Sequence, residues 1–314
     1  MTRAAWMLVL VAALWGTSFS WTKTWQVAAE GAPGGDLLSS LTLIGVRMAL
    51  ALVLLALWQP HLFTRPRLAE HAAGAAIGAV FFAGFLLQTW GLAQTTPALS
   101  AFLTALASAW VPLLCLLVGV RVPLRTLLGL AVAVAGCAVM VPDWTPRHGE
   151  WLTAIASVLF AVEMLLLDRL GKKLEPAHFT PAFFATLSLC GLLGGAAAAC
   201  AGPGLVPWAS WTGGMLSRGD SLQAVLLLAF LPTVLAFHWM NRFQPQVEPA
   251  QAALIYLLEP IFSAVVSVIA GHDAMTYPLV IGGLLVVLGN VVVVLGDTGS
   301  AREPPPPDAP PADP

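Results

Sequence analysis

The sequence predicts an all-α polytopic membrane protein: ten transmembrane helices arranged as two inverted five-helix repeats. Three observations carry that prediction. Hydrophobic residues make up 58% of the 314 and charged residues only 10%, with a mean hydropathy of +0.84. A soluble domain carries roughly 25% charge, so this chain has too few charges to cover a water-facing surface. The apolar residues fall in blocks near the ~20-residue length that spans ~30 Å of hydrocarbon. Finally, residues of the first half recur in the second at a nearly fixed spacing.

The spans are expected near 5–25, 37–58, 72–92, 99–119, 126–142, 151–170, 180–201, 221–240, 250–270 and 278–296. Arg3 and the apolar run 4–14 have the outline of a signal peptide. Trp15, Trp21 and Trp25 follow, however, with no small-residue cleavage site, so this is read as the first span. The connections carry breakers: Gly31 to Gly35 around Pro33, Arg65-Pro66-Arg67, Pro142-Asp143 and Gly202-Pro203-Gly204. Residues 298–314 end in a proline-rich stretch and are expected to be a disordered cytoplasmic tail with polyproline-II character.

Basic residues set the expected orientation. One set of alternating loops holds Arg3, Arg65, Arg67, Arg121, Arg125, Arg169, Lys172, Lys173, Arg242 and Arg302. The other holds Arg147, Arg218 and the marginal Lys23. Both termini are therefore expected in the cytoplasm, which requires an even number of spans. The net charge of −2 gives no reason to expect nucleic-acid binding. The four cysteines (Cys115, Cys137, Cys190, Cys200) lie in apolar blocks without metal-ligand spacing and read as packing residues. No metal or cofactor is expected.

The repeat rests on particular residues. Trp6 and Trp151 open spans 1 and 6 at an offset of 145. Phe85/Phe237, Gln94/Gln246, Pro97/Pro249, Ala98/Ala250, Ala101/Ala253 and Gly119/Gly271 all match at an offset of 152. The two repeats are placed at 1–142 and 150–297. Five spans per half is odd, so the second half enters the membrane upside down, an arrangement in which solute sites lie near the midplane.

Ionisable groups inside spans are costly, roughly 2.5–3.5 kcal/mol each if they face lipid. Arg47, Glu163 and Glu259 are such groups, and Trp15, Ser18, Gln88, His238 and Tyr256 add polarity. They are the expected substrate-binding or coupling residues. A structural alternative pairs Arg47 with a glutamate as a clamp. Pro112, Pro232 and Pro260 lie inside spans, free the carbonyls of Ser108, Leu228 and Tyr256, and are the expected helix breaks or gates. Ser18 aligns with Glu163 at the 145 offset, so both are expected to face one central site.

Several stretches together resemble the EamA-type members of the drug/metabolite transporter superfamily. They are LWGTSFSWTK (14–23), GVRMALALVLLAL (45–57), GFLLQTWGLAQTTPALSAFLTAL (84–106) with VPLL (111–114), PAQAALIYLLEPIFSAVVSVIAG (249–271) and IGGLLVVLGNVVV (281–293). The resemblance implies a secondary transporter that moves a small metabolite or drug. Arg47 with Glu163 and Glu259 brings both charge signs, which points to an amino acid or other zwitterion. It also implies export across a bacterial inner membrane, alternating access, and proton coupling or exchange. Trp15, Arg47, Gln88 and Glu259 match the family pattern. Two positions depart from it: the family's Gly-Glu pairs closing spans 4 and 9 are Gly119-Val120 and Gly271-His272 here. The expected partners are a small solute, lipid and protons, with oligomeric state open. Competing readings are an intramembrane hydrolase using Ser18 and His238, and a passive channel. No GxxxxGK[ST] phosphate loop is present.

Overall fold

The computed structural model describes residues 2–64, 68–117, 119, 122–141, 145–171, 176–247 and 249–300. The expectations for Arg65-Pro66-Arg67, Val120, Arg121, Pro142-Asp143, Lys172, Lys173 and the tail beyond Ser300 lie outside the described residues. Leu-, Ala- and Val-rich runs satisfy their backbone polar groups internally as helices, the form hydrocarbon requires. In chain order these are α1 (Arg3–Ala28), α2 (Gly35–Trp58), the single turn α3 (His61–Thr64), α4 (Leu68–Ala93), α5 (Pro97–Ala105), α6 (Ala107–Leu117) and α7 (Leu124–Met140). The second half continues with α8 (His148–Gly171), α9 (Pro176–Ala201), α10 (Leu205–Ser217), α11 (Gly219–Leu228), α12 (Ala236–Phe243), α13 (Pro249–Tyr256), α14 (Glu259–Ile269) and α15 (Tyr277–Ser300).

Among the described residues, nine helical segments are long and apolar enough to cross a membrane. They include α5–α6 as one span and α11 through α12 as another. The tenth expected span, α7, is apolar but only 17 residues long. At 1.5 Å per residue that is about 26 Å, slightly short of a typical core. Large apolar side chains such as Leu57, Leu193, Val206 and Ile269 remain exposed, as lipid-facing residues do.

Three features differ from the sequence expectation. α10 occupies a stretch expected to be a loop. Trp208 donates its indole N–H to Thr42 Oγ1 at 2.8 Å, and Trp211 meets Trp25 edge-on at 6.2 Å, so the helix docks through a pair of tryptophans one turn apart. α15 continues to Ser300, three residues into the expected tail, because no proline intervenes before Pro304. Of the cysteines, Cys137 is buried but Cys200 is exposed, so the latter is not a packing residue.

The helix contacts repeat with the halves exchanged. α4 packs on α8 as α1 packs on α11 and α12; α5 and α6 pack on α8 as α13 and α14 pack on α1. α7 pairs with α15 and α2 with α9. These last two seams are backbone-close. A Cβ built on Gly191 would fall 2.6 Å from the nitrogen of Gly45. One on Gly129 would fall 2.7 Å from the Gly289 carbonyl, and one on Gly136 would fall 2.6 Å from that of Gly282. Small residues at such crossings let helix backbones touch, which in lipid is a main source of association. Gly119 and Gly271, matched at the 152 offset, both take positive φ (88° and 76°), as does a glycine closing a helix.

Candidate functional site

Interruptions in three spans position the polar residues. Pro260 is the second residue of α14, and the carbonyl it frees belongs to Tyr256, where α13 ends. The matching span breaks at Leu106, between α5 and α6, and Leu106 and Leu258 stand at the same 152 offset. Pro112 lies inside α6 without ending it. A proline acts on the turn before it, which places the discontinuity upstream of Pro112 rather than at it. Pro232 sits in a π-helical segment, Ala229–Leu235, that widens the helix instead of breaking it. The Leu228 carbonyl left without its usual donor accepts the Thr233 hydroxyl at 2.7 Å.

Arg47 reaches this π segment. Its Nε donates to Thr233 Oγ1 at 3.0 Å, and its guanidinium carbon lies 5.2 Å from the Phe85 ring centre. The residue is 6% exposed, yet it makes no ion pair among the described residues. The clamp between Arg47 and a glutamate is therefore absent here. The π segment explains this: it presents Thr233 to α2 as an acceptor that was not expected from the residue order.

Trp15 bridges the same segment to the broken span. Its indole N–H donates to the Pro232 carbonyl at 3.0 Å, and its ring packs at 5.3 Å on Tyr256 and 6.0 Å on Phe237. Tyr256 in turn donates to Gln244 Oε1 at 2.8 Å. The neighbouring Gly16 lets α1 run against the start of α14, where an added Cβ would sit 2.7 Å from the Glu259 carbonyl. Glu259 is thus the first residue of α14, half-buried beside Gly16. Trp15, Pro232, Thr233, Arg47 and Phe85 form one connected set. Gln88 is buried and donates to Thr104 Oγ1 at 2.8 Å, tying α4 to α5. Glu163 is half-buried on α8, and neither it nor Ser18 makes a hydrogen bond among the described residues.

His238 lies elsewhere. Its Nδ1 is 2.6 Å from Gln59 Nε2, and its ring is 4.8 Å from that of Trp58. Both partners stand at the end of α2, and Gln59 lines with His238 a small cavity of about 30 Å³. His238 thus belongs to one end of the bundle and shares no hydrogen bond with Ser18, so the Ser18/His238 pairing is not formed. Trp25, beyond this site, is fully buried and donates to Ser39 Oγ at 3.1 Å.

At the opposite end lies a larger cavity, about 410 Å³, lined among others by Lys23, Gln94, Thr95, Arg147, Glu150 and Asp273. The Lys23 ammonium donates to the carbonyls of Leu92, Ala93 and Thr95 at 3.0, 3.0 and 2.8 Å. Glu150 accepts the Thr95 hydroxyl and the Arg147 amide; Asp273 accepts the Ala98 amide and the Ser267 hydroxyl. His272, beside this cavity, contacts Thr24 at 3.4 Å. Burial and then the Lys23 charge push its pKa below the ordinary histidine value, with Asp273 opposing. This cavity is not where Arg47 and Glu259 sit. It is the wide mouth at one end of the bundle, and the midplane residues lie deeper.

The fold and these residues define the class: an all-helical, multi-pass membrane protein with polar groups at interrupted spans. Residues 147–295 match the model of the EamA-like transporter family. Two uncharacterized transporters of Archaeoglobus fulgidus are each 25% identical to this chain. One aligns over 92% of this chain and 84% of its own length, the other over 63% and 67%. A solved crystal structure shares the fold at a TM-score of 0.55 and 19% identity, covering 96% of this chain and 98% of that one. These matches support a membrane transporter, and the likeness to the EamA-like transporter family covers the second half of the chain, residues 147–295.

Proposed function

We propose that the protein is a secondary transporter that exports a small zwitterionic metabolite, an amino acid or a close relative, by alternating access with proton coupling or exchange. The observation that carries this reading is Arg47: a guanidinium buried at 6% exposure whose partners are a threonine hydroxyl and an aromatic ring, without a carboxylate. An unpaired buried charge is costly, and a solute carboxylate would offset that cost. Glu163 and Glu259, also without an ion pair among the described residues, are the groups suited to a solute ammonium or a proton.

Two inverted repeats, 1–142 and 150–297, agree with the exchanged helix contacts, with the twin breaks at Leu106 and Leu258, and with the glycine pairs. The basic-residue asymmetry favours cytoplasmic termini in a bacterial inner membrane. Lys23, Arg147 and Arg218, assigned from sequence to the outer side, agree with this: Lys23 and Arg147 share the large cavity, and Arg218 donates to the Ala28 carbonyl at the end of α1.

The test is flux of a labelled amino-acid mixture in reconstituted liposomes, with and without an imposed pH gradient. Glu259→Gln keeps shape and hydrogen bonding, so it is expected to abolish gradient-driven flux while binding and exchange persist. Wild-type rates and pH dependence in a well-folded Glu259→Gln protein would overturn the coupling role. Flux that ignores the gradient in the unmutated protein would favour a passive channel.

A further inference from the structure

Three charged groups around the 410 Å³ mouth each place a hydrogen bond on one stretch of chain. Lys23 comes from α1 and places its donors on the carbonyls of Leu92, Ala93 and Thr95. Glu150 comes from α8 and holds the Thr95 hydroxyl. Asp273 comes from the α14–α15 connection and holds the Ala98 amide. All three converge on residues 92–98, the connection between α4 and α5. That connection has the orphan groups such ties require: the last carbonyls of α4 lack helical donors and the first amides of α5 lack helical acceptors. An ammonium has three N–H donors, and Lys23 has three carbonyls within hydrogen-bond distance, so it has no donor left for a solute.

We propose that Lys23 is a positioning residue of the transport cycle, a latch that fixes the α4–α5 connection as the rim of the open mouth and so favours the conformation open at this end. The proposal rests on the alternating-access reading. The two ends of the bundle differ as that reading requires: about 410 Å³ at the Lys23 end against about 30 Å³ at the His238 end, where Gln59 and His238 close the gap at 2.6 Å. The three latching bonds are made in the state with this mouth open. Losing them removes an interaction that belongs to this state and shifts the population toward states open at the other end. A lysine that merely braced the fold would loosen its own surroundings without reciprocal change thirty or so ångströms away, roughly a membrane thickness.

The experiment follows both ends at once. In full-length protein with the four native cysteines replaced by alanine, a reporter cysteine is introduced either at Leu99, which lines the large mouth, or at Val234, which lines the small cavity. Labelling by a maleimide is timed in detergent. Lys23→Met is expected to slow labelling at Leu99→Cys and speed it at Val234→Cys, changing the ratio of the two rates about tenfold, about 1.4 kcal/mol of population shift. Lys23→Arg, which keeps donors for the same carbonyls, is expected to restore the original ratio. Rates that rise together, or do not move, in Lys23→Met overturn the proposal. Gln59→Ala separates its failure from that of the transport reading. If Gln59→Ala shifts the two rates reciprocally and Lys23→Met does not, alternating access stands and the latch falls; if neither shifts them, both fall. If Lys23→Met is not recovered folded, Lys23→Gln takes its place with the same expected direction and the same overturning result.

Discussion

Replacing Gly16 by alanine tests the contact on which the candidate site is built. A methyl there would lie 2.7 Å from the Glu259 carbonyl oxygen, 2.7 Å from Phe262 Cβ and 2.9 Å from the Ser263 nitrogen. Comfortable contact begins near ~3.5 Å, and the obstructing atoms are backbone or Cβ, so no side-chain rotation makes room. The α1 and α14 helices must part by roughly 0.5–1 Å, which forfeits a quarter to a half of each dispersion well along the contact. Overpacking of this kind costs ~1–3 kcal/mol, offset by the ~1 kcal/mol that alanine gains over glycine in a helix, leaving a net change between about zero and a loss of about 2 kcal/mol. The assay is denaturant unfolding in mixed micelles. Gly213→Ala is the control: nothing lies within 4 Å of a methyl there, so propensity acts alone and the variant should gain about 0.5–1 kcal/mol. If Gly16→Ala gains as much stability as Gly213→Ala, α1 and α14 are not in backbone contact and the placement of Glu259 beside Trp15 is wrong.

Two further outcomes are expected. Thr233→Val removes both the acceptor for Arg47 Nε and the donor to the Leu228 carbonyl, so it should lower thermal stability by about 1–3 kcal/mol, with Thr233→Ser restoring it; an unchanged melting profile for Thr233→Val would remove the hydroxyl from the account of Arg47. His272 resists protonation in the folded state, so the unfolded chain takes up the proton first as pH falls through the ordinary histidine value; stability should decline over that window and level off below the depressed folded value. His272→Asn should flatten that part of a stability–pH curve measured from pH 7.5 to 5, and an unaltered slope would assign the dependence to other groups.

The span pattern was legible because it depends on composition over about twenty residues at a time. Arg47 and Glu259 were legible because a charge in an apolar block is conspicuous. What was not legible depended on local geometry. Thr233 is one hydroxyl among many, and it matters only because Pro232 sits in a π segment that offers it to Arg47. The breaks were expected at the prolines, whereas Pro112 leaves its own helix intact and the interruption comes at Leu106. α10 was hidden by Pro207, Gly213 and Gly214; the available signal was Gly204 followed by a proline in the first turn and two tryptophans three residues apart. Lys23 is a marginal topology signal because it falls inside the expected first span, and its role is visible only with three carbonyls converging on it. Ser18 and Glu163 were linked by the repeat offset, and neither makes a hydrogen bond among the described residues.

The seam between α7 and α15 has a consequence for insulation. A carrier that works against a gradient must not let water or ions slip through while it changes shape. Along this seam a Cβ on Gly289 would fall 2.5 Å from the nitrogen of Ala133, and the paired glycines 129 and 289, 136 and 282 face each other across one another's carbonyls. A water molecule has a radius of about 1.4 Å and needs polar partners with room to reach them. Backbones in such close apposition offer neither, so the glycine seam acts as a dielectric wall that starts beside the large mouth, where Met140 of α7 and Leu279 of α15 are among the lining residues.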